Sequence, residues 1–470
     1  MHLIPASWSH FHLLVSVFPS VGLIFAIGFF VTALMNKNAA MQRIGLFVFG
    51  GLAVLGVPTF LSGLGSMTAL TMASRNLPEG VADTHAFWGW GAIFFLALTG
   101  ITALLVLWRQ WKLPAPSDGM LHLVLGFALF TLLNMIVVGE MGWEIDHQEL
   151  KLHTDFGMTS QVWSHIHIIL NHFPTVGFVF ALFFFSGGLL LNNDVMKRAG
   201  LAVFVICGIL GASTYVTGAS AMWALTDPKP YADVTQARIN AHRDWALMSL
   251  FGLGLTGVIS YVQIWRYRSQ AVFSKAMLNL VLVLAVITLA LMAETGHRGG
   301  QINHPEIRLP TDVFDTNAAS YWSPQIELLI NNIIWFVPWQ TVHFFGYTVV
   351  FATVLAVSLR IFGYWKQMPF SAVHRILPLG AFGVFANVFT GMLMLMADTN
   401  RYVNESAFWP KMFFLPIGVI AVLYFSLSDK LWAVKAGDDA PMSAKWVAAL
   451  VLFSWTIVIM GGRLLPYLFV

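Results

Sequence analysis

Long apolar stretches alternate with short polar segments along the whole chain. Each stretch matches the roughly 20 residues that a helix needs to cross a bilayer. Turn-forming clusters at 36–38, 113–116 and 192–194 separate some of them. The pattern predicts about twelve transmembrane helices, at 10–35, 43–74, 84–108, 119–142, 163–192, 199–226, 240–265, 274–296, 337–363, 372–397, 408–428 and 444–467. The predicted fold class is therefore all-α and integral to a membrane.

Composition agrees with a membrane protein and excludes several functions. Hydrophobic residues make up 58% and charged residues 10% of the chain, whereas a soluble domain carries about 25% charged residues. The net charge of +3 gives no basis for binding nucleic acid. The single cysteine, Cys207, excludes a disulfide framework, a cysteine-based metal site and covalently attached haem.

Lys and Arg are concentrated in alternate loops, which predicts the orientation. Basic residues follow spans one, three, five and seven, as Lys37, Arg109, Lys197 and Arg266 show. Short loops rich in Lys and Arg stay on the cytoplasmic side. The sequence therefore predicts a multi-pass protein of the bacterial inner (cytoplasmic) membrane, surrounded by membrane lipid, with both termini in the periplasm.

Two parts of the chain repeat one another in order. The matched segments are 8–12 with 163–167, 18–22 with 173–177, 62–63 with 217–218, 84–86 with 241–243, Glu140 with Glu294, and 145–149 with 302–306. Each copy holds four spans, and the last four spans lack the same motifs. We predict three consecutive four-helix bundles: copy one at 1–155, copy two at 156–310, and a third bundle at 311–470 preceded by an interfacial segment.

Four histidine positions are shared by the two copies. The pairs are His10 with His165, His12 with His167, His85 with His242, and His147 with His304. Topology predicts that all of them lie at the periplasmic face, and ionisable residues in spans usually mark function. Histidines at equal depth on neighbouring helices are typical axial ligands of a b-type haem in a four-helix bundle. Copy two adds His172 and His297 as further candidates.

Helix geometry limits which histidines can share one iron. On a helix, the side chains of His10 and His12 diverge by about 200°, so they cannot both ligate the same iron. The favoured ligands are His12, His85, His167 and His242, and Gly63, Gly65 and Gly218 would let a haem approach the backbone. If all matched histidines pair, the two copies hold up to about four b-type haems.

Other interpretations of these residues stay open. A His-x-His pair with a third histidine also suits copper or zinc. Acidic neighbours, Glu140 with His147 and Glu294 with His304, would suit a proton relay. A histidine within a membrane can also simply hydrogen-bond a carbonyl of another helix.

The remaining histidines carry weaker signals. His122 and His374 lie at the cytoplasmic ends of spans, which favours a snorkelling or capping role. His343 opens the ninth span without a second histidine at its depth, so a ligand role would need Lys411 or a methionine such as Met394 or Met396. Lys411 and Arg463 near one interface would suit a lipid phosphate, a haem propionate or a quinone carbonyl, or would serve as ordinary anchors.

Particular motifs resemble known families. His172-Phe173-Pro174, with a histidine opening the third helix, is similar to a four-helix bacterial membrane family suspected of carrying haem. The resemblance covers both copies, although Val17 replaces the motif's histidine in copy one. The third bundle, at segments 342–343, 359–363, 390–392 and 408–411, resembles an uncharacterised family shaped like copper-resistance membrane proteins.

These observations favour an electron carrier. We expect a multihaem b-type membrane cytochrome that moves electrons between the quinone pool and a periplasmic partner, as a subunit of a larger electron-transfer complex. The alternatives are a periplasm-facing copper-binding or copper-transport protein and a non-redox structural subunit. The sequence offers no recognisable general base, nucleophile or phosphate loop, so an enzyme on its own is not what we expect.

Overall fold

The computed structural model describes residues 7–72, 80–110, 117–146, 160–226, 234–304, 308 and 323–468. Within these ranges the chain forms helices and turns and no strand. The helices are α1 Trp8–Val15, α2 Val17–Met35, α3 Ala39–Met72, α4 Val81–Arg109, α5 Asp118–Asp146, α6 Ser160–Leu170, α7 His172–Leu190, α8 Asp194–Thr226, α9 Gln236–Gln270, α10 Lys275–Asn303, α11 Ser323–Asn331, α12 Ile333–Phe362, α13 Phe370–His374, α14 Leu377–Ala397, α15 Thr399–Val403, α16 Phe408–Leu427, α17 Asp429–Trp432 and α18 Met442–Leu468.

Twelve helical stretches of the described chain are long and apolar enough to cross a membrane. They are Trp8–Met35, Ala39–Met67, Val81–Arg109, Asp118–Gly142, His165–Leu190, Asp194–Met222, Gln236–Gln270, Lys275–Asn303, Ile334–Phe362, Phe370–Ala397, Phe408–Leu427 and Met442–Leu465. Large apolar side chains such as Val54, Leu133 and Phe382 are exposed within these spans, as a lipid-facing surface requires. The predicted number of spans and the all-α membrane fold are confirmed.

The first span of each repeat copy is interrupted near its N-terminal end. Helix α1 ends at Val15, four residues before Pro19, and α6 ends at Leu170, four residues before Pro174. Proline has no N–H to bond the carbonyl four residues earlier, and its ring crowds that carbonyl. The interruption leaves the paired histidines of each copy on a short helix of their own.

One compact unit consists of Met1–Asp155 and Gly296–Phe314. Within it, α2 packs on α3, α3 on α4, α4 on α5, and α5 returns to α2, so these helices form a closed bundle. The segment Gly296–Phe314 contains the end of α10 and belongs to this unit. The predicted boundaries of the three bundles stay a prediction.

The other compact unit consists of Phe156–Thr295 and Asp315–Val470. Its buried core runs from Phe178 and Phe204 in copy two to Val354 and Trp455 in the last four spans. At the end of α9, Arg268 donates hydrogen bonds to the carbonyls of Ser426 and Leu427 and pairs with Asp429. Because these carbonyls end α16, the arginine caps that helix and ties α9 to it.

The repeat also appears in a buried pair of hydroxyl groups. The hydroxyl oxygens of Thr99 on α4 and Thr131 on α5 lie 2.8 Å apart. Those of Thr256 on α9 and Thr288 on α10 lie 3.3 Å apart, and both pairs are 32 residues apart in sequence. Such pairs are a common way to join helices where water is excluded.

Candidate functional site

His12 is anchored to the neighbouring span by one ring nitrogen. Its Nδ1 lies 3.0 Å from the carbonyl oxygen of Thr59 and 3.3 Å from the hydroxyl oxygen of Ser62. Gly63 lies against the same ring, since a Cβ added there would come within 2.9 Å of His12 Cε1. We call this arrangement a histidine cradle. In a cradle, the histidine Nδ1 bonds a backbone carbonyl of a neighbouring helix, and a glycine follows that carbonyl's residue by four positions.

His167 occupies the same cradle in copy two. Its Nδ1 lies 3.0 Å from the carbonyl oxygen of Thr214 and 3.3 Å from the hydroxyl oxygen of Thr217. A Cβ added at Gly218 would come within 2.9 Å of His167 Cε1. A helical side chain covers the turn that precedes its own Cα. A glycine four residues after the carbonyl therefore uncovers that carbonyl for the imidazole.

His85 and His242 form a second pair of cradles. The Nδ1 of His85 lies 3.1 Å from the carbonyl oxygen of Val138, and that of His242 lies 3.0 Å from the carbonyl oxygen of Thr295. Both carbonyls follow their histidine by 53 residues. Gly142 contacts the His85 ring, and the sequence places Gly299 at the matching position after Thr295. All four favoured ligand candidates are thus held in the same way.

The last four spans contain a cradle that the sequence comparison missed. His343 Nδ1 lies 2.9 Å from the carbonyl oxygen of Asn387 and 3.1 Å from the hydroxyl oxygen of Thr390. A Cβ added at Gly391 would come within 3.1 Å of His343 Cε1. The expectation that this bundle lacks the shared motifs is therefore wrong. The carbonyl that accepts from His343 follows it by 44 residues, whereas the spacing for His12 is 47 residues. This difference hides the match in a sequence comparison. The residue pair Thr390-Gly391 nevertheless repeats the pattern of Ser62-Gly63.

The cradle determines which ring nitrogen can accept a ligand. A backbone carbonyl only accepts hydrogen bonds, so the imidazole proton must be on Nδ1. Nε2 then carries the lone pair, which is the donor atom that a metal requires. In metal sites the ligating histidine usually donates its other N–H to a carbonyl in this way, and that bond fixes the direction of the ring.

The remaining candidate histidines are placed differently. In the unit that contains both, the His10 ring stacks on the His297 ring, with centroids 5.4 Å apart. His165 is half-buried on α6, His172 opens α7, and His304 is buried just after α10. His147 lies outside the described residues. A ligand role for these six histidines stays a prediction.

Two details of the predicted site differ in the structure. The carbonyls of Val138 and Thr295 are equivalent, so the residues two places later, Glu140 and His297, occupy matching positions, and Glu294 does not match Glu140. Gly63 and Gly218 lie against imidazole rings. A Cβ added at Gly65 would come within 3.0 Å of Trp8 Cγ. These glycines therefore accommodate side chains.

The two histidines at the predicted cytoplasmic ends have local roles. His122 Nδ1 lies 2.7 Å from the carbonyl oxygen of Asp118, one turn earlier on the same helix. His374 is buried, with Nε2 3.1 Å from the hydroxyl oxygen of Ser426, and its carbonyl accepts a hydrogen bond from the Trp265 indole. His122 therefore bonds a carbonyl of its own helix, and His374 links α13 to α9 and α16.

The cradled histidines meet the requirements of a haem ligand. A bis-histidine b-type haem uses two imidazole donors, and each repeat copy supplies two imidazoles whose Nε2 carries the lone pair. At His12, His85 and His167 a glycine leaves room for the ring where a Cβ would stand. A copper site with three or more donors fits less well, because no group of three or more His, Cys, Asp or Glu in the described ranges could hold a metal ion.

Fold and composition together define a multi-pass α-helical membrane protein. Residues 164–305 are similar to a family described as Predicted membrane protein (DUF2231). The match covers the second repeat copy, including His167, Gly218 and His242. No curated protein and no solved structure matches the chain.

Proposed function

We propose that the chain is a multihaem b-type membrane cytochrome. It moves electrons between the quinone pool and a periplasmic partner, as a subunit of a larger electron-transfer complex in the bacterial inner membrane. The observation that carries the proposal is the cradle at His12, His85, His167 and His242. At each of these positions the ring Nδ1 donates to a backbone carbonyl, which leaves Nε2 as the lone-pair nitrogen that would bind iron.

Each repeat copy would hold one haem. His12 and His85 would hold the haem in copy one, and His167 and His242 would hold it in copy two. A bound haem iron supplies one-electron chemistry by alternating between its ferric and ferrous forms. The protein would hold the four half-buried imidazoles in the Nδ1–H tautomer between apolar spans.

Site-directed variants of the purified full-length chain test this assignment. Replacing one ligand, as in His12→Ala or His167→Ala, should remove about half of the bound haem, because one of two bis-histidine sites is lost. Haem content would be measured from the reduced-minus-oxidised optical spectrum and the pyridine haemochromogen assay.

His122→Ala is the matched control. Its ring nitrogen also bonds a backbone carbonyl, but that carbonyl belongs to its own helix. Unchanged haem content in this control, with a loss in the cradle variants, supports the proposal. Full haem content after alanine replacement of each of the four cradled histidines in the repeat copies would contradict it.

A further inference from the structure

Two cavities in the unit Phe156–Thr295 with Asp315–Val470 have one lining residue in common, Val388. The lining of the first includes Ser213, His343, Asn387, Tyr402, Phe408 and Lys411. The second is apolar. We call the combined space the α8–α14–α16 channel, after the three helices that line both parts.

Each of these helices contributes one continuous stripe. Helix α8 presents residues 205, 208, 209, 212, 213 and 216, and α16 presents 408, 411, 412, 415, 419, 422 and 423. Spacings of three and four residues place each set on one helix face. From Phe408 to Leu423 the α16 stripe rises about 22 Å. The two cavities therefore follow one another along the same helix faces, an arrangement that suits a chain molecule.

The two ends of the channel differ in chemistry. The end near the predicted periplasmic face contains His343, Asn387, Tyr402 and Lys411. The other end is lined by Val, Leu, Ile and Gly side chains, with Tyr261 and Thr353 as its polar residues. Such a space matches an amphiphile with a compact polar head and one long apolar tail.

The head end offers one acceptor and two donors. The cradle leaves His343 Nε2 as an acceptor, because Nδ1 donates to the Asn387 carbonyl. The Asn387 amide nitrogen lies 3.3 Å from both ring nitrogens, so it lies over the ring face and not along the lone pair of Nε2. Lys411 supplies an ammonium donor. Burial raises the pKa of the Tyr402 phenol, so this group stays protonated as a donor.

Lys411 packs against α18 near the end of the chain. An added Cβ at Gly461 on α18 would come within 3.0 Å of Lys411 Cβ, and one at Gly462 within 3.9 Å of its Nζ. His85, by contrast, meets Gly142 of its last span with its imidazole ring. With one imidazole instead of two, this bundle cannot form a bis-histidine haem site by itself.

We propose that the α8–α14–α16 channel binds an isoprenoid quinol or quinone. A quinol hydroxyl donates to His343 Nε2, the carbonyl of the oxidised form accepts from Lys411 or Tyr402, and the isoprenoid tail lies along the apolar end. Lys411 alone would suit a lipid phosphate equally well. A quinol hydroxyl can donate to His343 Nε2, whereas a phosphodiester group itself carries no proton and only its attached headgroup could donate. This assignment rests on the proposed function for its choice of redox-active lipid.

Binding to the full-length chain in detergent tests the channel. The probes are decylubiquinone and the same benzoquinone ring without a tail, followed by equilibrium dialysis. Lys411→Met should weaken both about tenfold, the loss expected for one hydrogen bond to a charged donor. Gly254→Leu fills the apolar end at a position where an added Cβ meets nothing within 4 Å. It should weaken decylubiquinone about tenfold and leave the tailless ring unchanged.

Gly51→Leu is the control, because Gly51 lies on an exposed face of copy one where an added Cβ also meets nothing within 4 Å. The proposal is overturned if decylubiquinone does not bind, or if Gly254→Leu affects both probes equally or neither. It is also overturned if Lys411→Met loses a copurified phospholipid, or if His343→Ala loses haem. Absence of haem from the parent chain would count against the proposed function, whereas absence of quinone binding with intact haem counts only against the channel.

Discussion

At the residue scale, glycine decides which carbonyls the histidines reach. The sequence predicted His12, His85, His167 and His242 as the important ligand candidates, and Gly63 and Gly218 as close-contact positions. It could not predict that the glycines lie against imidazoles, because that depends on how neighbouring spans are rotated. It ranked His12 above His10 as a ligand, but it could not predict that the His10 ring stacks on the His297 ring.

Gly63→Ala tests the packing of a cradle directly. The new methyl group would lie 2.9 Å from His12 Cε1 and must displace the ring. We expect a loss of about 1–3 kcal/mol of stability, as for overpacking of a core, together with reduced haem content. Unfolding in denaturant and the optical spectrum are the measurements.

Gly51→Ala on the same helix meets nothing within 4 Å. This control should gain about 0.5–1 kcal/mol, because alanine is the better helix former. If the two variants behave alike, the contact between Gly63 and His12 has no energetic role.

At the element scale, span positions followed from hydropathy, whereas the contacts between spans did not. All twelve spans were predicted within a few residues, because lipid sets both their length and their polarity. The interruptions before Pro19 and Pro174 also follow from local chemistry. The sequence comparison missed the cradle in the last four spans because its spacing differs by three residues. The bonded carbonyl follows His12 by 47 residues and His343 by 44 residues.

Thr131→Val tests the hydroxyl pair that joins α4 and α5. Valine keeps the shape but removes the hydrogen bonds to the Thr99 hydroxyl and the Phe95 carbonyl. We expect a loss of about 0.6 kcal/mol, and no more than about 1.7, in line with hydrogen bonds between membrane helices. Unfolding in mixed micelles measures it. The control is Thr102→Val, whose hydroxyl donates to the Leu98 carbonyl of its own helix. This variant should change little, and an equal loss in both would refute the pair's role.

At the scale of the whole molecule, the predicted orientation places all cradles at the periplasmic face. Lys and Arg in alternate loops are the basis of that prediction. A haem near one face exchanges electrons with a partner on that face, so the orientation decides where the partner must be. The same face would hold the head end of the α8–α14–α16 channel.

Cysteine labelling of intact cells tests the orientation. The native Cys207 is buried and should not react with a membrane-impermeant maleimide. Ser406→Cys, exposed between the tenth and eleventh spans, should be labelled in whole cells, and Ser269→Cys, exposed after the seventh, only after lysis. The reverse labelling pattern would place the cradles at the cytoplasmic face.

The central claim is that the cradled histidines hold haem, and haem content of the purified chain tests it most directly. The full-length protein would be produced with a haem precursor, purified in detergent and analysed by pyridine haemochromogen and reduced-minus-oxidised spectra. The account predicts about two b-type haems per chain, one for each bis-histidine copy, extractable because no cysteine binds them covalently. A purified, folded chain without haem absorbance would contradict it.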